Sequence, residues 1–146
     1  MFKRIWTLVT TLLLLSNLSA QIHRSLHKTY ALEDSITSIN IDIFEHDEQE
    51  VVQWAGNTIM TETQVQLFGA SEGVLNHYID TGRYEIELVV EEKDLKIISK
   101  DMVRRPIKTT SGDCSELVKI RFYVPEEFEK VDDDLWRKKE EEEEEE

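Results

Sequence analysis

The sequence predicts a mainly β domain of six or seven strands, arranged as a sandwich or a short β-roll, with one short α-helix at about 72–81. Three observations carry this. Residues 58–68 alternate without a break: Ile59, Thr61, Thr63, Val65 and Leu67 point one way, and Met60, Glu62, Gln64, Gln66 and Phe68 the other. The same period of two runs through 83–91 and 115–124. Only one stretch carries a helical stripe, with Val74, Leu75, Tyr78 and Ile79 on one side.

The first twenty residues read as a secretory signal peptide. Lys3 and Arg4 precede an apolar run over 5–15, shorter than the ~20 residues a spanning helix needs. Small and polar residues follow up to Ala20, where cleavage is expected. No later stretch is apolar enough to span a membrane, so the mature chain is expected to be exported, to the periplasm or the outer cell surface. Residues 21–28 are polar and read as a flexible N-terminal arm. His23 and His27 would share a face as metal ligands only on a helix, for which the segment lacks apolar periodicity.

Residues 29–128 read as a single β-rich domain. A short strand is expected at 29–32 and a longer one at 35–44, where Ile39, Ile41 and Ile43 share a face. The acidic stretch 45–50 has neither the glycine turn nor the ligand spacing of a calcium loop, and reads as a hairpin link from 35–44 to 50–54. Strands 51–54 and 58–68 are joined at Ala55-Gly56-Asn57. Trp54, Gly56 and Asn57 form a candidate structural motif, in which Gly56-Asn57 supply positive φ and Trp54 a large apolar face. Ser71 N-caps the helix, and Gly82 takes the left-handed position that ends it.

Strands 83–91 and 95–101 form an antiparallel hairpin about Glu92-Lys93-Asp94. The order 57–68, helix, 83–91 allows a parallel crossover. Residues 102–113 read as a loop. It holds the one basic cluster, Arg104, Arg105 and Lys108, a candidate contact for a carboxylate or phosphate. Residues 115–124 form the last strand, stopped by Pro125. Beyond Phe128, the run Asp132-Asp133-Asp134 and the seven glutamates from Glu140 to Glu146 make 129–146 an acidic disordered tail.

Composition narrows function. The chain carries −14, and loss of Lys3 and Arg4 with the leader takes it to −16, which disfavours nucleic acid and anionic lipid. Cys114 is the single cysteine, so no intramolecular disulfide forms. There is no glycine-rich phosphate loop, no zinc-spaced Cys or His set and no G-x-S-x-G, so no catalytic, cofactor or metal site is assigned. Glu62 and Glu87 stand out only as carboxylates within strands, and both are outward strand positions.

Trp54-x-Gly56-Asn57-x-Ile59-x-x-Glu62-Thr63, Gly82-Arg83-Tyr84-Glu85, Ile98-Ser99-Lys100 and Arg105-Pro106-Ile107 together resemble small exported proteins of Bacteroidota-type bacteria. These are similar to the putative-adhesin, head-GIN class of β-rich domains. The resemblance covers about two-thirds of the mature chain and implies a mainly β fold with surface or periplasmic placement. It implies no catalytic or binding residue. The expectation is an exported, non-enzymatic envelope or surface protein in a binding or structural role, its partner an envelope protein or a polysaccharide. The alternative is a carbohydrate-binding or carbohydrate-hydrolysing envelope domain. It would require a pocket lined by Trp54, Tyr84 or Tyr123 with convergent carboxylates.

Overall fold

A computed structural model describes residues 21–140; the signal-peptide reading of 1–20 and most of the glutamate run lie outside them. Among the described residues are ten strands and one helix: β1 (Gln21–Ala31), β2 (Ser38–Asp42), β3 (Glu48–Trp54), β4 (Thr58–Phe68), α1 (Glu72–Asp80), β5 (Ile86–Glu91), β6 (Asp94–Ser99), β7 (Ile107–Thr109), β8 (Gly112–Pro125), β9 (Phe128–Lys130) and β10 (Leu135–Lys138). They form two sheets in a mainly β, sandwich-like arrangement. The first runs β1-β4-β8-β3, with β7 also paired to β8; the second runs β5-β6-β2-β10-β9.

Alternation does what the sequence predicts. Every inward position of β4, from Ile59 to Leu67, is buried, and so are Val118, Ile120, Phe122 and Val124 of β8. Ile39, Ile41, Leu95 and Ile97 meet them from the second sheet in one continuous core. The helix is also as expected. The Ser71 side chain accepts from the Val74 N–H. Past its end, the Arg83 N–H donates to the Tyr78 carbonyl and the Gly82 N–H to the Ile79 carbonyl, with Gly82 at φ +80°. β5 and β6 form the predicted hairpin.

Partner choice differs in several places. β3 and β4 are not paired. β8 lies between them, parallel to β3 and antiparallel to β4, so Ala55-Gly56-Asn57 is an arch over the end of β8. The Glu126 N–H donates to the Trp54 carbonyl beneath it. β2 and β3 are not a hairpin either: β2 pairs with β6 and β10 in the other sheet, and the acidic link carries the chain from sheet to sheet. The predicted crossover is absent because β4 and β5 belong to different sheets.

Both ends of the domain are also corrected. Residues 21–28 are no arm but most of β1, paired with β4 through the whole register from Gln21–Phe68 to Ala31–Thr58. Its sequence looks polar because β1 is an edge strand. Arg24 and Lys28 occupy inward register positions among Ile22, Leu26 and Tyr30, and reach the mouth of the sandwich. There Arg24 bonds Glu72 and Asn76, and Lys28 bonds Glu85. Inward charge on an edge strand also discourages pairing with another chain. Residues 129–138 are not disordered: they complete β9 and form β10, which places Trp136, 6% exposed, in the core.

Candidate functional site

Two places concentrate chemistry: a charged cluster between the sheets, and the outer face of the β1-β4-β8-β3 sheet.

The cluster is built around two buried arginines. Arg83 follows the helix end and donates Nε and Nη2 to the two oxygens of Glu116 at 2.9 and 3.1 Å. Nη2 also donates to the Arg105 carbonyl, and the guanidinium lies 5.0 Å from the centre of the Tyr78 ring. The Tyr84 hydroxyl donates to Glu116 at 2.6 Å. Burial, then this neighbouring carboxylate, pushes the phenol well above its ordinary range. Arg104 points inward as well. Its side chain is 1% exposed and that of Asp47 is 3% exposed, and Nη1 donates to Asp47 Oδ1 at 2.7 Å. Phe44 and Tyr84 present their rings to the Arg104 guanidinium, at 4.9 and 5.3 Å. Burial raises the Asp47 carboxyl above its usual value, and Arg104 only partly offsets this.

The structure sets apart the three residues of the basic cluster read as a candidate anion contact, Arg104, Arg105 and Lys108. Arg104 is already paired, Arg105 is exposed on the rim of the recess beside it, and Lys108 does not line that recess. The partners Asp47, Arg83 and Glu116 were not assigned from the sequence, because they are brought together by the fold and not by spacing. Geometrically the cluster is a clamp. Glu116 accepts three hydrogen bonds, and the Cys114 thiol donates to the Gly69 carbonyl.

The outer face of the first sheet is read directly from register. One row runs His27–Glu62–Arg121–Glu50 across β1, β4, β8 and β3. Arg121 reaches Glu50 at 3.1 Å and Glu62 at 3.3 Å. The next row is Ser25–Gln64–Lys119–Glu48, and on the other side lies Thr29–Met60–Tyr123–Val52, with Trp54 one step beyond Val52 on the same face. The result is a sheet face with a charged half and an apolar, aromatic half. Both carboxylates flanking Arg121 are held below their usual range, Glu50 chiefly by Arg121 itself and Glu62 chiefly by the Gln64 amide. Glu87 lies on the other sheet, away from Glu62.

Trp54, Gly56 and Asn57 have a structural task, but not through positive φ, which neither Gly56 nor Asn57 adopts. The Trp54 indole folds back over Gly56, and a Cβ there would run into the ring at Cη2. Nε1 donates to the Thr58 carbonyl at 3.0 Å, pinning the arch. Gly56→Ala must therefore expel the ring. The expected cost is about 1–3 kcal/mol, read by urea unfolding together with a change in tryptophan emission. An unshifted midpoint would mean that the ring does not pack on the glycine.

At the mouth of the sandwich, Lys100 and Lys28 hold the Glu85 carboxyl down to about 2. Because the folded value is depressed, the stability it contributes is present above the unfolded value near 4.5 and is lost as pH falls from there toward 2. Asp47 works the other way. Its raised value favours the folded state as acid protonates it. Glu85→Gln is expected to flatten the acid limb of a pH–stability curve by less than about 1 kcal/mol, since the bridge is solvent-screened. An unchanged acid limb would show that the two lysines do not act on it.

A scan against protein-family models found no match to this chain, and searches of curated proteins and of solved structures found none. Among the described residues no group of three or more His, Cys, Asp or Glu side chains is placed to hold a metal, and no helix is long and apolar enough to cross a membrane.

Proposed function

We propose that this chain is an exported, non-enzymatic envelope or surface protein that binds a partner across the outer face of the β1-β4-β8-β3 sheet. The observation that carries this reading is the register-built platform, with Trp54, Val52, Met60 and Tyr123 beside the Glu50–Arg121–Glu62 row. An outer sheet face with aromatic and ionic halves suits an extended partner, a polysaccharide or a protein segment, better than an enclosed substrate. The resemblance to head-GIN-type exported domains points the same way, and the charge of −14 disfavours nucleic acid.

The second reading, a carbohydrate-binding or carbohydrate-hydrolysing domain, draws on the same Trp54 and Tyr123. The charge of the carboxylates on this face supports binding over hydrolysis. Hydrolysis needs one carboxyl kept protonated, whereas Glu50 and Glu62 are both shifted toward the charged form.

The test is saturable binding of the labelled protein to isolated cell envelopes, with Arg121→Glu and Tyr123→Ser as variants. Both are expected to fold and to lose binding. Protease treatment of the envelopes abolishing binding identifies a protein partner, and periodate treatment abolishing it a polysaccharide. Undiminished binding by both variants, or no saturable binding at all, overturns the proposal.

A further inference from the structure

We propose that the free edge of β5 binds an extended segment of a partner protein, one with apolar residues at alternate positions and basic residues at its flanks. β5 is the end strand of its sheet and pairs only with β6. The Lys100 N–H, just past β6, donates to the Glu85 carbonyl, so the Ile86 carbonyl turns the other way, and there the Tyr30 hydroxyl donates to it at 2.8 Å. In an antiparallel ladder that direction returns at every second residue, so the N–H and C=O groups of Leu88 and Val90 face out from the sheet edge. They have no backbone partner among the described residues. The edge is also undefended. β5 has no lysine, no proline and no inward charge, unlike β1 with Arg24 and Lys28.

Beside this edge lies a recess of about 430 Å³, lined by Tyr30, Leu32, Ile36, Leu88, Val90 and Leu95, among others. Val90 in its wall is 47% exposed. A strand added to β5 completes the ladder with its backbone and directs every second side chain toward this apolar recess. Charge sets the flanks. Glu33 lines the recess, and Glu87, Glu91 and Glu92 follow one another along β5 and its turn. Lys96 and Lys100 reach Glu91 and Glu87, but neither Glu33 nor Glu92 meets a cation among the described residues. A second copy of this chain would set the same glutamates against each other, which favours a basic partner. The edge belongs to the other sheet from the face of the proposed function, so either can fail alone.

The probe is the blocked peptide Lys-Thr-Val-Thr-Val-Thr-Lys, added to the whole protein while amide hydrogen exchange is followed by NMR. Saturable binding is expected, with exchange at Leu88 and Val90 slowed at least tenfold. The same peptide with proline at its centre should not bind, and one with glutamate in place of both lysines should bind at least tenfold more weakly. Val90→Pro removes a free N–H and leaves the bonds to β6 in place, and Val90→Lys sets a charge at the recess; both should fold and lose binding at least tenfold. Should Val90→Pro fail to fold, Val90→Lys decides. Unchanged exchange at Leu88 and Val90, undiminished binding by the proline peptide or by Val90→Lys, or equal binding of the glutamate peptide overturns the inference. So does protection of these two amides that rises with protein concentration alone, since the edge would then be a contact between copies.

Discussion

A fragment spanning 29–128 is expected to be unfolded in water, while one spanning 21–140 folds cooperatively. The shorter fragment loses eight of the eleven β1–β4 register pairs, from Gln21 through Lys28. With them go the half-buried Ile22 and Leu26, and the bonds from Arg24 and Lys28 that tie the edge strand to α1 and to Glu85. At the other end it loses β10, which lies between β2 and β9, so the second sheet is cut inside its pairing order. Trp136 leaves the core with it. Removing one buried tryptophan side chain costs about 3–5 kcal/mol, against a total stability of about 5–15 kcal/mol for a domain. The loss of most of β1 comes on top. Far-UV circular dichroism and urea unfolding of the two fragments provide the check. A cooperative transition in 29–128 at the midpoint of 21–140 would show that β1 and β10 are appendages, not structure.

What the sequence revealed, and what it hid, follows from how far each signal reaches along the chain. Side-chain direction within a strand is local, so the inward faces of β4 and β8 were legible residue by residue. The helix was legible for the same reason: Ser71 and Gly82 act on groups within a turn of themselves. Pairing is not local. Ala55-Gly56-Asn57 announces a reversal, but nothing in those residues says that β8, some sixty positions later, will lie between the two arms. The edge strand was hidden because its alternation is written in charge: Arg24 and Lys28 hold inward positions that a central strand would fill with apolar residues. β10 was hidden by its neighbours. Leu135 and Trp136 sit between three aspartates and a basic-then-acidic run, and the signal of two apolar residues is lost in the composition around them. The charged cluster was the least legible part. Arg104 meets Asp47 across 57 positions and Arg83 meets Glu116 across 33, separations at which no motif spacing exists. The outer platform was half visible, since the outward residues of β4 and β8 could be named, but not the register that sets Arg121 between Glu50 and Glu62.

Arg104→Met is expected to destabilise the protein by about 3–5 kcal/mol, and adding Asp47→Leu to recover most of that loss. The reason is the asymmetry between breaking a buried ion pair and replacing it. With Arg104 gone, Asp47 keeps a side chain that is 3% exposed and loses its one side-chain donor, while Oδ2 already has no partner. The carboxylate must then be desolvated without compensation, or take up a proton. Its value, already raised by burial, should climb further, so the single variant should regain stability as pH is lowered. The double variant removes the stranded charge. Methionine still fills the space between the Phe44 and Tyr84 rings, and leucine keeps the branched outline of aspartate, with methyl groups in place of the two oxygens. The bend at Asp47 is made by its backbone N–H on the Phe44 carbonyl, which neither substitution touches. Urea midpoints of the wild type and the single and double variants close the cycle, and the coupling between the two sites should amount to several kcal/mol. A single variant as stable as the wild type would mean that Asp47 reaches water, and the clamp between the sheets would then lose its physical basis.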